Sequence, residues 1–409
     1  MRNTLSGVDV GTSKVCALIG EAAADGALAV LGYGVAPCTG LRKGVVVNIE
    51  ATVDAIRAAT EEAARAAGVK IGGAVVGVAG AHIRGFNSHG IVAVRGGEVS
   101  VRDRERVIDA ARAVAIPLDR EVLHLLPQQY AVDDQEGVRD PLGMAGVRLE
   151  ARIHLVTAAQ SYGQNLIKCC ERASITPLEL MFEPLASADA ALFPEERELG
   201  VALIDIGGGT TGVVVFHNSA VMHTAVLPIG GNHLTSDIAA GLRTPMLEAE
   251  RLKINHGAAT NQVVGRDELV QVPGVGGRDP QMIARRLLGE IIEPRMEEIL
   301  AMAQRELIRS GACDSLGSGV VLVGGTALLE GTQELAERVF GMPVRRGLPI
   351  NLKGIPEQLM KPMYTTAAGL LMQAANGRAN GRVNGNGAMR HGRWGRIRSR
   401  MGDWMRDFF

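Results

Sequence analysis

The residues best suited to chemistry are a carboxylate and a run of glycines in the stretch 201–216, VALIDIGGGTTGVVVF. An apolar run leads to Asp205, and a second β-branched run follows a short polar segment. That segment contains Gly207, Gly208, Gly209, Thr210 and Thr211. The pattern predicts two strands joined by a tight turn. Glycines let backbone N–H groups approach a phosphate closely, hydroxyls add donors, and an Asp at a strand end can hold a metal ion or its water. The stretch therefore predicts either a nucleotide-phosphate site without a Walker lysine or a plain glycine hairpin.

A second copy of this pattern lies near the N-terminus. The stretch GVDVGTSKVCALI repeats the order of a carboxylate, a glycine and two hydroxyls between apolar runs. These residues are Asp9, Gly11, Thr12 and Ser13. The two aspartates, Asp9 and Asp205, lie 196 positions apart, and such self-similarity predicts an internal duplication. We expect the two copies to form a two-fold clamp on phosphate groups.

Two further turns suit the approach of a phosphate. Each places glycines before a predicted helix, where backbone N–H groups point outward. They contain Gly230 and Gly231, and Gly324, Gly325 and Thr326. A predicted helix over 245–256 carries Glu250 and Lys253 at i and i+3, on one face. This pair is either a solvated salt bridge or part of the same site.

The hydrophobic pattern predicts a mixed sheet covered by helices near the N-terminus, with a β-β-β-α-β order and a helix over 48–67 capped by Asn48. Residues 82–162 predict strands and a helix without phosphate-type turns, which indicates a small inserted α+β subdomain. One long helix or two are predicted over 279–309, with an interruption at Pro294. A last helix over 364–375 ends the body.

The composition indicates a globular protein of more than one lobe. The chain has 409 residues, of which 46% are hydrophobic and 21% charged, and this length exceeds what one core organises. Five cysteines include no CxxC pair, so neither a disulfide framework nor a zinc site is indicated and a reducing cytosol is expected. We expect no signal peptide, because a strand-turn motif begins within the first residues, and no apolar run reaches the roughly 18 residues of a membrane span.

The C-terminal part of the chain differs from the rest in charge. Residues 376–409 contain eight Arg and two Asp, a net charge of +6, and the remainder carries −7. Residues 376–390 are rich in Asn and Gly and predict a flexible linker, since about 14 residues of such coil reach roughly 20 Å. A basic tail on an acidic body favours an anionic surface as its partner. No nucleic-acid partner is expected.

The last segment, 391–409, predicts a basic amphipathic helix. Its apolar positions fall within an arc of roughly 140° at 100° per residue. They are Trp394, Ile397, Met401, Trp404, Met405, Phe408 and Phe409, and the basic residues beside them include Arg393, Arg396, Arg398 and Arg400. Both tryptophans of the chain are in this segment, which favours an in-plane membrane anchor. The alternatives are a helix docked on the body and a helix that binds a partner's groove.

Several segments together resemble one family. The stretch FEPLASADAALF, followed by ALIDIGGGTTGVVVF, is similar to the actin, heat-shock chaperone and sugar-kinase ATPase superfamily. Within it, the chain resembles the FtsA family of bacterial cell-division proteins through GVDVGTSKVCALIGE, PIGGNHLTSDIA, AERLK, IIEPRMEEIL and VLVGGTALLEG. A glycine-rich linker that ends in an amphipathic helix is the membrane-targeting device of that family. The resemblance covers the whole chain.

The resemblance implies an α/β, actin-like (ribonuclease H-like) two-lobed ATPase fold with an inserted α+β subdomain. The implied subdomains are 1A (1–81 and 163–198), the insertion 1C (82–162), 2A (199–228 and 310–375) and 2B (229–309). The linker (376–390) and the membrane-targeting helix (391–409) follow them.

The resemblance also implies that ATP lies between the lobes with Mg²⁺. Asp9 and Asp205 would face the metal through its water molecules, and Glu183 would orient an attacking water. The residues implied around the phosphates are Gly11, Thr12, Ser13, Lys14, Gly207, Gly208, Gly209, Thr210, Gly230 and Gly231. Glu250 and Lys253 would meet the ribose and adenine, and Gly324, Gly325 and Thr326 would close on the adenosine.

By the same resemblance, the protein would polymerise into actin-like protofilaments and tether the tubulin-like protein FtsZ to anionic lipids at the cytoplasmic face of the membrane, at the division site. The C-terminal peptide of FtsZ would bind subdomain 2B, where Arg285, Arg286 and Arg295 are basic candidates or plain solvated residues. Other division proteins would bind as well, and ATPase activity would be weak or absent. The alternatives are a pilus-assembly ATPase and a small-molecule kinase of the same fold.

Overall fold

The computed structural model describes residues 4–22, 28–274, 276, 279–350 and 352–379. The first part of the chain contains β1 (Thr4–Val10), β2 (Lys14–Ala22), β3 (Leu28–Pro37), β4 (Leu41–Arg42), β5 (Val45–Val46), α1 (Ile49–Ala67) and β6 (Gly73–Val78). The predicted helix over 48–67 is confirmed with its cap, since the Asn48 side chain accepts a hydrogen bond from the backbone N–H of Ala51. Its buried face packs on β2 and β3.

The inserted subdomain has a sheet and a core of its own. It consists of β7 (Arg84–Ala93), α2 (Val101–Arg112), β8 (Arg120–Val132), β9 (Gln135–Val138) and β10 (Arg148–Ala159). The strands are antiparallel in the order β7-β10-β8-β9. Helix α2 covers one face, where Ile108, Tyr130 and Ile153 are buried in a separate apolar cluster. The expected α+β character of this region is confirmed, and β9 is an addition to the predicted strands.

The chain then returns to the first lobe and crosses to the second. The returning elements are α3 (Gln160–Arg172), β11 (Thr176–Phe182), α4 (Glu183–Ala191) and α5 (Pro194–Leu199). The second lobe contains β12 (Val201–Ile206), β13 (Thr211–His217), β14 (Ala220–Leu227), α6 (Gly231–Leu242), α7 (Met246–His256), β15 (Leu269–Val272), β16 (Gln281–Ala284), α8 (Arg285–Arg309), β17 (Val320–Val323), α9 (Thr332–Phe340) and β18 (Val344–Arg346). Finally, β19 (Leu352–Lys353) and α10 (Thr365–Ala379) pack on the first lobe.

The two large sheets repeat one topology. The first has the order β11-β6-β1-β2-β3-β19 and the second the order β18-β17-β12-β13-β14. In each, the first three strands are antiparallel and the next is parallel to the first. The hairpin turns also match: Gly11 N–H donates to the Lys14 carbonyl at 3.0 Å, and Gly207 N–H donates to the Thr210 carbonyl at 2.9 Å. The predicted internal duplication is therefore confirmed down to the turn geometry.

The prediction over 279–309 was wrong in two respects. Residues Gln281–Ala284 form β16, which pairs with β15, so the helix begins only at Arg285. The helix is also not interrupted at Pro294, which lies inside α8. A proline removes one backbone hydrogen bond and strains the preceding turn. Burial of Leu288, Ile292 and Met296 on one continuous face offsets that cost.

Helix α10 continues beyond its predicted end at 375 into residues that were assigned to the linker. The helix spans Thr365–Ala379. It continues past 375 because Leu370 and Leu371 are fully buried and anchor it, and extending an existing helix costs little. The rest of the predicted linker and the predicted amphipathic helix lie outside the described residues. None of the described helices is long and apolar enough to cross a membrane.

Candidate functional site

The two duplicated hairpin turns face each other between the lobes. A Cβ atom added to Gly208 in the second lobe would overlap Ser13 Oγ of the first lobe, and one added to Gly209 would lie 2.7 Å from Thr12 Oγ1. Real Cβ atoms do not approach other heavy atoms so closely, so only glycine fits at either position. The structure thus brings the two predicted phosphate turns together, with the hydroxyls of the first turn against the glycines of the second.

The other glycine turns support the second hairpin from behind. The Gly207 carbonyl accepts hydrogen bonds from the Gly231 N–H at 2.9 Å and from the Thr326 hydroxyl at 3.0 Å. Gly230 is buried against the same carbonyl group. A Cβ atom at this position would lie 2.6 Å from the Gly207 carbonyl oxygen, which leaves no room for a side chain. The turns at 207–210, 230–231 and 324–326 of the second lobe therefore converge.

The turn at 324–326 approaches the carboxylate of the second lobe. Gly324 has φ +88°, and a Cβ at this position would lie 2.5 Å from Asp205 Oδ1. Its N–H donates to the Pro362 carbonyl at 3.0 Å. Gly325, the next residue, is exposed. The backbone at this turn consequently borders the cleft without a side chain in the way.

Three carboxyl groups converge beneath the turns. Burial raises the pKa of Asp9 to about 6, and Asp205 adds to this increase while Lys14 opposes it. Burial also raises the pKa of Asp205. Burial and repulsion from both aspartates hold the pKa of Glu183, the first residue of α4, well above its ordinary value. Three acids that repel one another in a buried place favour a cation as their counter-charge.

We expect Asp9→Asn to stabilise the ligand-free protein in a pH-dependent way. Folding raises the pKa of Asp9 from 3.8 to about 6, so its ionised form costs stability that is absent below the lower value and complete above the higher one. The substitution should raise the free energy of unfolding by about 3 kcal/mol at about pH 7.5, and by only about 1 kcal/mol at about pH 4.5. Urea unfolding at both pH values measures this. Asp54→Asn, at an exposed aspartate of α1, is the control, and an equal gain at both pH values would contradict the burial of Asp9.

Two hydroxyl groups that sequence analysis missed hold Asp205 in place. Its Oδ2 accepts hydrogen bonds from the Ser187 hydroxyl at 2.8 Å and from the Thr366 hydroxyl at 3.3 Å. The two hydroxyls lie 2.8 Å apart. Ser187 belongs to α4 and Thr366 to α10, and these helices pack on each other. The second-lobe carboxylate is therefore hydrogen-bonded to two helices that pack on each other, of which α10 packs on the first lobe.

Lys14 closes the first hairpin turn. Its ammonium lies 4.0 Å from Asp9 Oδ2 and donates a hydrogen bond to the Met363 carbonyl at 2.9 Å. The same group lies 5.5 Å from the centre of the Tyr364 ring, within the range of a cation–π contact. These contacts hold the Lys14 ammonium beside Asp9.

The pair Glu250 and Lys253 lies beside the turn at 230–231, with the lysine buried and the glutamate partly exposed. Lys253 is 7% exposed, and its ammonium donates to Glu250 Oε2 at 2.7 Å, to the Thr235 hydroxyl at 2.8 Å and to the Gly231 carbonyl at 3.1 Å. The Thr235 hydroxyl also bonds to Glu250. Burial lowers the pKa of Lys253, and Glu250 opposes this shift. Thr235 is the partner that the sequence pattern did not reveal.

Direct ligation of a metal by protein side chains finds no support here. Among the described residues, no group of three or more His, Cys, Asp or Glu side chains is arranged to hold a metal ion. The cleft offers paired carboxylates and a space lined by backbone groups. A divalent cation that keeps most of its waters and binds a polyphosphate fits such a donor set, as Mg²⁺ does.

The three candidate arginines of the second lobe differ in their availability. Arg285 is bound to Glu268 at 2.7 Å and to Glu330, and Arg295 is bound to Asp237 at 2.6 Å and to Glu298. Arg286 is exposed, and no ion pair of its guanidinium is seen within the described part of the chain. Of the three, Arg286 is therefore the one with a free charge.

Exposed apolar side chains surround the same end of α8. They lie on α7, on the β15–β16 hairpin and at the start of α8, and these elements contact one another. The residues are Met246, Leu247, Ile254, Leu269, Met282 and Leu287, which are 42–68% exposed. Sequence analysis did not identify this apolar surface, because alternation in a short hairpin does not show which face is left uncovered. Patches of this kind mark interaction sites.

Comparison with known proteins identifies the family. The family model "Cell division protein FtsA" matches residues 202–369, and the model "SHS2 domain inserted in FTSA" matches residues 80–157. The FtsA of Pseudomonas aeruginosa is 51% identical over 375 residues, which are 92% of this chain and 90% of that protein. The chain belongs to the FtsA family of cell division proteins. The FtsA proteins of Neisseria meningitidis and Escherichia coli are 43% and 39% identical and cover 99% and 93% of the chain and 98% and 92% of their own lengths.

Solved structures support the actin-like fold of this FtsA family member. A PilM–PilN complex of type IV pilus biogenesis superposes with a TM-score of 0.66 at 18% identity, over 91% of this chain and 98% of that one. MreB5 of Spiroplasma citri bound to ADP superposes with a TM-score of 0.55 at 14% identity, over 93% and 99%. At such identities the likeness concerns the fold alone. The expected actin-like fold with an inserted subdomain is confirmed.

Proposed function

We propose that the protein is an ATP-binding, polymerising cell-division protein that tethers FtsZ to the cytoplasmic face of the membrane. The observation that carries the nucleotide part is the facing pair of glycine turns above three carboxyls, of which Asp9 is buried and the other two are half-buried. Backbone N–H groups of such turns bind phosphates. Family membership in the actin-like ATPases supports the same ligand.

The phosphates of ATP would lie between the turns 11–14 and 207–210. Mg²⁺ bound to the phosphates would supply a counter-charge to the carboxyls, whose pKa values are raised chiefly by burial, with Asp9 and Asp205 accepting hydrogen bonds from its waters. Glu250 and Lys253, fixed on α7, support the ribose and adenine side. Glu183 would orient an attacking water. The pKa of Glu183 is held well above its ordinary value by burial and by Asp9 and Asp205, which disfavours the ionised form that acts as a base and supports ATP as mainly a structural ligand that closes the cleft.

The partner surface lies at the beginning of α8. The C-terminal peptide of FtsZ, acidic and partly apolar, would place its apolar residues on the exposed patch of α7, the β15–β16 hairpin and α8. Its acidic residues would meet Arg286, whose charge is not engaged elsewhere in the described structure. An exposed apolar surface with a free cation at its edge has the chemistry that such a peptide needs.

The membrane attachment rests on the sequence of the last segment. Residues 393–409 combine two tryptophans, two phenylalanines and several arginines with amphipathic spacing. Because α10 ends at Ala379 on the first lobe, the tail leaves the body from that lobe. The partner surface is on the second lobe, so one molecule would hold a membrane and a peptide on different lobes.

The tether is tested by recruitment of a fluorescent FtsZ C-terminal peptide to vesicles of phosphatidylglycerol and phosphatidylethanolamine, with Mg²⁺ and ATP present. We expect the full chain to bring the peptide into the vesicle pellet. Arg286→Glu should still pellet with the vesicles and bring about tenfold less peptide, because it places a like charge against the acidic peptide. Arg305→Glu, an exposed residue further along the same helix, should recruit peptide like the parent.

The outcomes separate the candidate functions. Equal peptide recruitment by Arg286→Glu and the parent would contradict the partner surface. A chain that stays in the supernatant while it consumes ATP with an added sugar or carboxylate would favour the small-molecule kinase instead.

A further inference from the structure

A short hairpin of the first lobe carries a non-glycine residue in a glycine-like conformation. Strands β4 and β5 are joined by Lys43 and Gly44, which have φ +52° and +73°. A two-residue turn with both φ angles positive is best served by Asn-Gly or Asp-Gly. A lysine with positive φ costs about 1 kcal/mol or more, and such strain is kept mainly where a site requires it.

The tip of this hairpin lies against both phosphate turns. The Gly44 N–H donates a hydrogen bond to Thr12 Oγ1 at 3.2 Å. A Cβ added to Gly209 would lie 3.0 Å from the Lys43 backbone nitrogen. The hairpin belongs to the first lobe and Gly209 to the second, so the tip forms a third wall where the two duplicated turns meet.

The cations around this space differ in what already binds them. Lys14 is held by Asp9 and the Met363 carbonyl, and Lys253 by Glu250 on the far side of Gly231. Lys43 is exposed, and among the described residues its ammonium has no ion-pair partner. It is therefore the cation beside the turns whose charge is still available to a ligand.

We propose that Lys43 recognises the terminal phosphate of a nucleoside triphosphate, and so distinguishes a triphosphate from a diphosphate. This inference rests on the proposed nucleotide function and adds a residue to it. The strained backbone fixes the origin of the side chain beside Gly209, and a flexible ammonium suits a phosphate as a point charge. A terminal phosphate held by Lys43 from one lobe and by the turn at 207–210 from the other draws the lobes together.

The test compares the affinities of the full chain for Mg²⁺ with a non-hydrolysable ATP analogue and for Mg²⁺ with ADP, by titration calorimetry without vesicles. Lys43→Asn removes the charge and places the favoured Asn-Gly pair in the turn, so the hairpin should fold at least as well. We expect it to weaken binding of the ATP analogue about tenfold and binding of ADP less than about twofold. Lys43→Arg should restore most of the difference. Arg42→Gln, which removes a neighbouring exposed charge, is the matched control.

The outcomes are distinct. A ratio of ATP-analogue to ADP affinity that is unchanged in Lys43→Asn, while the parent binds both, overturns the role of Lys43 and leaves the nucleotide function standing. An equal change of that ratio in Arg42→Gln also overturns it, because general charge would then be the cause. A parent that binds neither nucleotide overturns the proposed function and this inference with it.

Discussion

Asp205→Ala is expected to abolish nucleotide-dependent filaments and to lower the affinity for Mg²⁺-nucleotide by about 100-fold. Groups that hold a metal through its waters typically contribute 10- to 100-fold to metal affinity. We expect the effect of Asp205→Ala at the upper end of that range, because Asp205 is the second-lobe carboxylate of the cleft and borders Gly324 directly. Without Asp205, only the carboxylates of the first lobe attract the metal. The metal then no longer draws the two lobes together, so closure of the cleft is no longer favoured.

Misfolding is not the expected reason for this loss. Burial raises the pKa of Asp205, which means that its ionised form costs folding stability in the ligand-free protein. Ser187 and Thr366 still bond to each other when the carboxylate is removed, so no buried hydroxyl is left alone. We therefore expect the ligand-free variant to unfold at a temperature no lower than that of the parent.

Negative-stain microscopy with and without Mg²⁺-ATP, together with nucleotide titration, measures the effect of Asp205→Ala. Asp54→Ala, which removes an exposed aspartate that pairs with Arg57 on the first lobe, should form filaments like the parent. Normal filaments from Asp205→Ala, with unchanged nucleotide affinity, would contradict the placement of the metal and phosphates in this cleft.

The hydrogen bonds of Asp205 link the cleft to two helices of the chain. Through Ser187 this carboxylate contacts α4, and through Thr366 it contacts α10. The two helices pack on each other, and α10 is the last described element before the predicted tail. A change of charge or position at Asp205 therefore acts first on the two helices whose hydroxyls bond to it.

Much of the fold could be predicted from the sequence because its signals are local. The Asp-x-Gly turns, the β-branched runs and the cap at Asn48 depend on residues close together in the chain, and each formed as predicted. The equivalence of the two lobes also follows from the sequence, because both turns keep the same order of groups. The actin-like architecture itself came from family resemblance.

The errors and omissions arise where contacts between distant residues decide. Ser187 and Thr366 are hydroxyls in apolar helices, and only the crossing of those helices brings them to Asp205. Pro294 is a helix breaker by itself, yet the buried face of α8 keeps the helix continuous. Lys43 lies in a stretch whose turn has no Asn or Pro signal, and its proximity to Gly209 depends on how the lobes meet.

The second large effect is expected at the tail: Trp404→Glu should release the full chain from anionic vesicles. Burial of a large apolar side chain contributes up to about 3 kcal/mol, which corresponds to about 100-fold in partitioning. A carboxylate at this position adds repulsion from anionic lipid and removes one of the two tryptophans from the apolar side of the predicted helix. The arginines alone, at about 1 kcal/mol each, would leave weak and salt-sensitive binding.

Co-sedimentation with vesicles of phosphatidylglycerol and phosphatidylethanolamine measures this release. Ser399→Glu introduces the same charge on the predicted polar side, and it should pellet nearly as well as the parent. A chain that ends at Ala379, the last residue of α10, sets the level without a tail. If Trp404→Glu and Ser399→Glu lost binding equally, net charge and not an apolar face would hold the protein on the membrane. If Trp404→Glu pelleted like the parent, the anchor would have to lie elsewhere in the chain.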